Sequence, residues 1–455
     1  MNNWSKENLK GAAVTVVGLA RTGVGVIKYL AAAGAKITVT DLRDRQALAP
    51  FLAQVGRIEV DYRLGSHPEE IFLKADLIVL SPGAPPEIAQ VQQAEARGIP
   101  VIGEMELTFA NLSAPLLAIT GTNGKSTTVS LTGEMVRAAG YRVFVGGNIG
   151  NPLVDCLLSG ESYDFVVAEV SSFQLERVVK FKPRVAAILN LAPDHLDRYP
   201  RYEDYISAKE MIFKNKDNTS VAVLNAGDAR LVQTGARLAP PVCWFNASGP
   251  VDFGCWSDQG KIHYSFPGLG QGQFDLTEIP LPGVHNLENV MAALGTVGAA
   301  GCAVEKAWPA VRSFKGLNHR MELVAKVNGV TFINDSKATN VDAVVRALEG
   351  FGGGVILILG GHDKGGDFTP LISPIKAKVR LLILDGEAGP MLHSVFAGQV
   401  KTSLTANLPQ AVKAAFAEAD AGETVLLSPG CASFDQFQSF EHRGDVFKKL
   451  VYEFS

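Results

Sequence analysis

The stretch Ala118–Thr128, AITGTNGKSTT, decides how the rest of the chain is read. It joins an apolar run, LLAIT (116–120), to TTVSLTGEMVRAAG (127–140), whose apolar residues recur at helical spacing. A glycine-bearing turn between a buried strand and a helix is where backbone N–H groups and a helix N-terminus offer partial positive charge to phosphate. The common phosphate loop reads G-x-x-x-x-G-K-[ST]. Here Ile119 stands where its first glycine would be, and the glycines present are Gly121 and Gly124. The loop is a compact one. Gly121 and Gly124 permit tight turns, Lys125 can reach terminal phosphates, and the Ser126 hydroxyl can ligate Mg²⁺. The alternative is a plain strand–helix turn carrying a stray lysine.

Outward from this loop, short apolar runs alternate with helical patterns along the whole chain, which predicts an α/β protein with largely parallel sheets. Its 455 residues exceed one core, and at about 150 residues per domain they suggest three. The first group holds AAVTVVG (12–18), KITVTD (36–41), IEVDYRLG (58–65) and ADLIVLSPG (75–83), with a helix over 23–33. It reads as a Rossmann-like unit. After a turn-rich break at 112–115 comes the central group: LLAIT, RVFVGG (142–147), DFVVAEVSS (164–172), VAAILN (185–190) and SVAVLN (220–225). The glycine-rich stretch 243–277 reads as a small antiparallel excursion before the helix HNLENVMAALGTVGAAG (285–301). The third group, from about residue 315, holds GVTFIND (329–335), VILILGG (355–361), RLLILDG (380–386) and TVLLSPG (424–430), again Rossmann-like.

A net charge of -4 provides no basic field for nucleic acid or an anionic membrane. No uncharged apolar stretch reaches the length of a membrane span. Five scattered cysteines without a C-x-x-C pair fit a reducing compartment, and the N-terminal residues lack an apolar signal-peptide core. A cytoplasmic location is expected.

Further polar clusters sit where strands end. Glu169 closes the run DFVVAE and, beside a phosphate loop, is a candidate for Mg²⁺ coordination. Asp194, His195, Asp197 and Lys209 follow closely, although His195 taken alone reads as a capping or packing group rather than a ligand. Oxygen donors with one imidazole suit Mg²⁺ or Mn²⁺ better than zinc. In VTVVGLARTGVGV (14–26) the glycines Gly18, Gly23 and Gly25 depart from the dinucleotide spacing G-x-G-x-x-G. Asp41 ends the next strand, so either a redox cofactor or a nucleotide-bearing substrate could use this loop. The third group has NDSKATN (334–340), GGHDKGGDF (360–368) and SPGCASFDQFQSFEHRG (428–444) at strand ends, with Lys337, Lys364 and Ser433 available to a small anion.

Together, TGTNGKST, GNIG, EVSSFQLE, DHLDRY, HNLEN, NHRME, NDSKATN and SPGCASFDQFQSFEHRG resemble the Mur ligase family, in one order from about residue 18 to residue 444. The C-terminal motifs resemble those of its D-glutamate-adding members. The resemblance implies three domains: 1–105 for the UDP-substrate, 106–316 of phosphate-loop ATPase type, and 317–455 for the amino acid, closing on ATP. It implies an ATP-dependent amide ligase of peptidoglycan synthesis that adds D-glutamate to UDP-N-acetylmuramoyl-L-alanine through an acyl phosphate. Only these small-molecule partners and a monomer are expected.

The same resemblance implies the site residues. Gly121, Thr122, Asn123, Gly124, Lys125, Ser126 and Thr127 would hold ATP with Asn148, Asn289, Arg320 and Asp335. Ser126 and Glu169 would bind one Mg²⁺, and Glu169, His195 and Lys209, the last as a carbamate, a second. Lys125, His195 and Lys209 would be catalytic. Gly18, Leu19, Ala20, Asp41, Leu42, Arg43, Gly83, Asn148 and Gln174 would bind the UDP-substrate, Leu42 through its backbone. Lys337, Thr339, Lys364, Ser433 and Phe440 would surround D-glutamate.

Overall fold

The computed structural model describes residues 4–85, 87–196, 198–281 and 283–454. Its strands fall into three sheets. The first holds β1 (Ala13–Val17), β2 (Lys36–Asp41), β3 (Asp61–Leu64), β4 (Leu77–Leu80) and β5 (Val101–Gly103) in the order β3-β2-β1-β4-β5, all parallel. Strand order reverses between β1 and β4, so the loops after these two strands open a crevice at the sheet's carboxyl edge.

The second sheet holds β6 (Leu116–Thr120), β7 (Val143–Gly147), β8 (Phe165–Glu169), β9 (Val185–Ile188), β10 (Val221–Asn225), β11 (Val242–Asn246), β12 (Gly254–Asp258), β13 (Lys261–Phe266) and β14 (Gly270–Asp275). Their order is β14-β13-β12-β11-β10-β9-β6-β8-β7. The chain moves to one side of β6 for β7 and β8 and to the other for β9, so the loop after β6 lies at a second reversal point. β6, β8 and β9 are apolar except for Thr120 and Glu169 at the carboxyl ends of β6 and β8, because helices and neighbouring strands bury them. The stretch 243–277 is antiparallel only from β12 onward. β11 extends the parallel sheet beside β10, and β12 pairs with it in parallel.

The third sheet holds β15 (Glu322–Val327), β16 (Val330–Asn334), β17 (Val355–Gly360), β18 (Val379–Asp385), β19 (Lys401–Leu404) and β20 (Thr424–Gly430) in the order β15-β16-β20-β17-β18-β19. Only β15 runs antiparallel to its neighbour. β15 and β19 are partly exposed edge strands without a continuous apolar run, and β5 is three residues long. Their sequences carry a weak strand signal for those reasons. The run IEVDYRLG pairs only over Asp61–Leu64.

The chain forms two compact units. One comprises Met1–Leu191, Ile206–Glu278 and Glu288–Arg312, and contains the first two sheets; the other comprises Ala192–Tyr205, Ile279–Leu287 and Ser313–Ser455, and contains the third. The backbone therefore passes between units five times. Within the first unit, the helix Glu104–Phe109 joins the two sheets through buried carboxylates. Glu106 accepts the N–H groups of Val179, Lys180 and Phe181, and Glu104 accepts that of Val154 at 2.6 Å. Val154 itself packs in the core of the first sheet. Among the described residues no helix is long and apolar enough to cross a membrane.

Candidate active site

The phosphate loop is held from beneath by a residue of the next strand's edge. Asn190, buried just beyond β9, takes the Thr122 N–H on its carbonyl at 3.0 Å and the Asn123 N–H on its side-chain oxygen at 2.8 Å. Its Nδ2 donates back to the Asn123 carbonyl at 3.1 Å. The sequence reading assigned Asn190 no role; its one signal is a polar residue closing the apolar run VAAILN.

Gly124 begins the helix Lys125–Ala138 with φ of 81°, a conformation that favours glycine. A Cβ at this position would collide with Oδ1 of Asn289, which also accepts from the Thr128 hydroxyl at 3.3 Å. Asn289 thus rests on the loop from the helix Val284–Ala299. Ser126 and Thr127 are buried in the helix's first turn.

Two lysines meet on this loop. Lys125 Nζ donates to the carbonyls of Gly121 and Thr122 at 3.0 and 2.8 Å. Lys209, 2% exposed, donates to the Gly121 carbonyl at 2.8 Å. Strand register sets Glu169 beside Ile119 on one side and Gly147 on the other. Asn148 donates through its side chain to Glu169 Oε1 at 2.8 Å, and its N–H to the Glu169 carbonyl at 2.9 Å. Among the described residues, Glu169 Oε2 is buried with no hydrogen-bond partner. A buried carboxylate oxygen left unpaired is costly unless a cation or donor meets it.

The same unit contains a cavity of about 790 Å³ at the β1/β4 crevice. Gly18, Ala20, Asp41, Leu42, Arg43, Gly83, Asn148 and Gln174 all line it, as do Arg21 and Thr22, which sequence reasoning passed over. Leu19 is buried and does not line it; its N–H donates to Asp41 Oδ2 at 2.8 Å. Burial would raise the Asp41 carboxyl, but hydrogen bonds from the Arg43 side chain and from the N–H groups of Leu19 and Arg43 bring it down to about 2. Gln174 closes a capping box with Ser171 at the start of the helix Ser172–Leu175.

In the second unit, a cavity of about 440 Å³ is lined by Asp194, His195, Thr339, Asn340 and Lys364, among others. Asp194 is its hub. It accepts from Lys364 Nζ at 2.8 Å and from Asn340 Nδ2 at 3.1 Å, and His195 Nε2 stands 3.8 Å away. Burial opposes the charge of Asp194, but Lys364, His195 and Asn340 outweigh it and hold its pKa near 2. His195 has a φ of 55°. Asp197 lies outside the described residues.

Lys337 Nζ sits 3.8 Å from the centroid of the Phe440 ring, a cation–π pair. Ser433 is buried, its carbonyl accepting the Phe437 N–H at 2.8 Å. Asp335 is buried and accepts from the Ser428 hydroxyl at 2.9 Å and the Met321 N–H at 3.2 Å. Burial nonetheless raises its pKa to about 7, against those bonds and the charge of Arg320.

Family models match three successive parts of the chain: Mur ligase MurD-like, N-terminal domain over residues 12–103, Mur ligase middle domain over 119–297, and Mur ligase, glutamate ligase domain over 319–431. The chain is 46% identical to UDP-N-acetylmuramoylalanine–D-glutamate ligase of Geotalea uraniireducens (strain Rf4), over 96% of each chain. It is 45% identical to the protein of that name from Geotalea daltonii, over 97% of this chain and 98% of the relative. Among solved structures, UDP-N-acetylmuramate-alanine ligase MurC of Thermotoga maritima aligns with a TM-score of 0.62 at 17% identity, over 98% of this chain and 100% of that one. MurF ligase of the same organism, in complex with ADP, aligns with a TM-score of 0.60 at 16% identity over 100% of both. These two establish a shared fold. With three matching models in order and relatives above 40% identity over nearly the full length, the chain belongs to the Mur ligase family, in its UDP-N-acetylmuramoylalanine–D-glutamate ligase branch.

Proposed function

We propose that the chain joins D-glutamate to UDP-N-acetylmuramoyl-L-alanine at the expense of ATP, in the cytoplasm and as a monomer, during peptidoglycan synthesis. The observation that carries this reading is the compact phosphate loop with two lysines on one of its carbonyls and a buried, half-unpaired carboxylate one strand away. A carboxylate is a poor electrophile. Transfer of the γ-phosphoryl group onto a substrate carboxylate oxygen, with ADP leaving, supplies a leaving group. The amine of D-glutamate then attacks the acyl carbon, the C–O bond to phosphate breaks, and the amine loses a proton as the amide forms. Such a reaction needs positioning and charge neutralisation above all.

Lys125 and the amides of 121–127 would hold the ATP phosphates, with Asn148, Asn289, Arg320 and Asp335 completing that site. The donor set fits Mg²⁺: Glu169 Oε2 is an unpaired anionic oxygen and Ser126 supplies a hydroxyl. Ser126 and Glu169 would hold one ion, and Glu169, His195 and Lys209 as carbamate a second. Bound Mg²⁺ would neutralise charge on the phosphate oxygens. The 790 Å³ cavity would take the UDP-substrate, and Lys337, Thr339, Lys364, Ser433 and Phe440 D-glutamate. A lysine ammonium and a hydroxyl match the two carboxylates of that amino acid.

We place domain limits at 1–105, 106–316 and 317–455, with the last closing on ATP. Small-angle scattering with and without ATP and substrate checks this; an unchanged radius of gyration rules closure out. The assay for the function is phosphate release from ATP and Mg²⁺ with UDP-N-acetylmuramoyl-L-alanine and single amino acids. Release that requires D-glutamate is expected. Release without any amino acid, or with L-glutamate, overturns the assignment.

A further inference from the structure

The large cavity of the first unit has four charged or titratable side chains on its lining: Arg21, Asp41, Arg43 and His67. Three of them are already balanced. Arg43 donates Nε to Asp41 Oδ1 at 3.0 Å and Nη2 to Asp41 Oδ2 at 2.7 Å, so this pair contributes no net charge. Pulling Arg43 away would strand the Asp41 carboxylate, which is 5% exposed. His67 Nδ1 hydrogen-bonds the Thr40 hydroxyl at 2.8 Å, and burial lowers its pKa, so it is neutral at pH 7.

Arg21 differs. It begins the helix Arg21–Ala32, directly after the loop 18–20. Its guanidinium makes one hydrogen bond among the described residues, from Nη1 to the carbonyl of Gly150 at 2.6 Å, and has no carboxylate within 4 Å. Gly150 also lines the cavity, so the guanidinium head is at the cavity wall. A guanidinium presents five N–H donors in a planar fork matched to phosphate oxygens. Among the described residues Arg21 is the one charge on the lining without an ion pair within 4 Å; the Asp155 carboxylate, off the lining, acts on it only at longer range.

Resting on the reading of this cavity as the UDP-substrate site, we propose that Arg21 is the side chain that binds the substrate's diphosphate, and that Arg43 is not. A diphosphate diester carries two negative charges. A neutral carbonyl is a weaker acceptor than a phosphate oxygen, so Arg21 can add phosphate contacts, or exchange Gly150 for them, without stranding an ion. Arg43 cannot do so. Bridging Gly150 and phosphate also ties the substrate to the loop that carries Asn148, which donates to Glu169.

The test uses the full chain with UDP and uridine as probes, by calorimetry for UDP and ligand-observed NMR for uridine. Arg21→Ala is expected to weaken UDP by about 10- to 100-fold, the loss of one or two charge-assisted hydrogen bonds, and to leave uridine affinity unchanged. Arg21→Lys recovers part of the loss. In turnover, KM for the UDP-substrate rises by a similar factor while kcat and KM for ATP hold. Equal weakening of UDP and uridine, or unchanged UDP affinity, overturns the role of Arg21. Gly83→Trp, which sets an indole into the cavity from its wall, should abolish binding of both probes. If Gly83→Trp binds UDP normally, the reading of the cavity itself fails, whatever Arg21→Ala does.

Discussion

Lys125 and Lys209 donate to the same carbonyl oxygen, that of Gly121, at 3.0 and 2.8 Å. Two ammonium groups on one acceptor repel each other, and the pair is best relieved if one changes sign. Lys209, the buried one, becomes anionic on carbamylation and would then face the Lys125 ammonium as an opposite charge. Lys209→Ala is expected to lower kcat by about 100-fold or more. Lys209→Arg keeps the positive charge but cannot be carbamylated, and should be equally inactive. Partial activity of the arginine variant in the phosphate-release assay would show that a cation is what the position requires.

Asn190 fastens the phosphate loop with a carbonyl, a side-chain acceptor and a side-chain donor. Asn190→Ala removes the two side-chain bonds, each worth about 1 kcal/mol. KM for ATP should rise by about 10-fold, with the KM for the UDP-substrate unchanged. Asn190→Asp keeps the acceptor but sets a carboxylate beside the phosphates, so its ATP affinity should be lower still. Steady-state kinetics with each substrate varied in turn decides the matter.

Gly124 combines a left-handed backbone with a carbonyl-bearing side chain against its α-carbon. Gly124→Ala therefore suffers both a backbone cost of about 1 kcal/mol and a collision with Asn289. Activity should fall severely. Adding Asn289→Gly relieves the collision but not the backbone cost, so the double variant should recover thermal stability more than turnover. Thermal unfolding and kcat measured on both variants separate the two effects.

Burial raises the pKa of Glu104 to about 7, although the Val154 N–H favours its ionised form. The folded chain holds a proton that the unfolded chain releases near the ordinary value of 4.5. This group's contribution to stability is thus full below about pH 4.5 and is lost as the pH rises through 7, on the order of 3 kcal/mol. Glu104→Gln keeps an oxygen acceptor for Val154 and carries no charge. It should match the parent chain at pH 5 and exceed it in denaturant midpoint at pH 8. Parallel curves across that range would dismiss the effect.

Much of the site was legible because its parts are local. A strand, a short glycine loop and a helix in sequence announce a phosphate loop from 118–128 alone. Residues that act across the sheet were not legible. Asn190 reaches the loop only because β9 lies beside β6, a neighbour relation that no local pattern encodes. Asp194 becomes the hub of a cavity through Lys364, 170 positions away. The role of Arg21 depends on Asp41 having claimed Arg43, which an arginine count cannot reveal. In the fold, the apolar core strands were readable from composition, whereas β5, β15 and β19 are short or half-exposed and owe their pairing to the strands beside them.

The five passages of backbone between the two compact units bear on how the molecule is made. During synthesis the first unit cannot be finished until Arg312 has emerged, because Glu288–Arg312 belongs to it. The pieces Ala192–Tyr205 and Ile279–Leu287 leave the ribosome before the sheet they belong with, which starts at β15. They must wait without their partners while the last third is translated. A stop codon just after residue 312 would therefore release more than a trimmed enzyme: it would leave a first unit with two orphaned segments, one of them carrying His195.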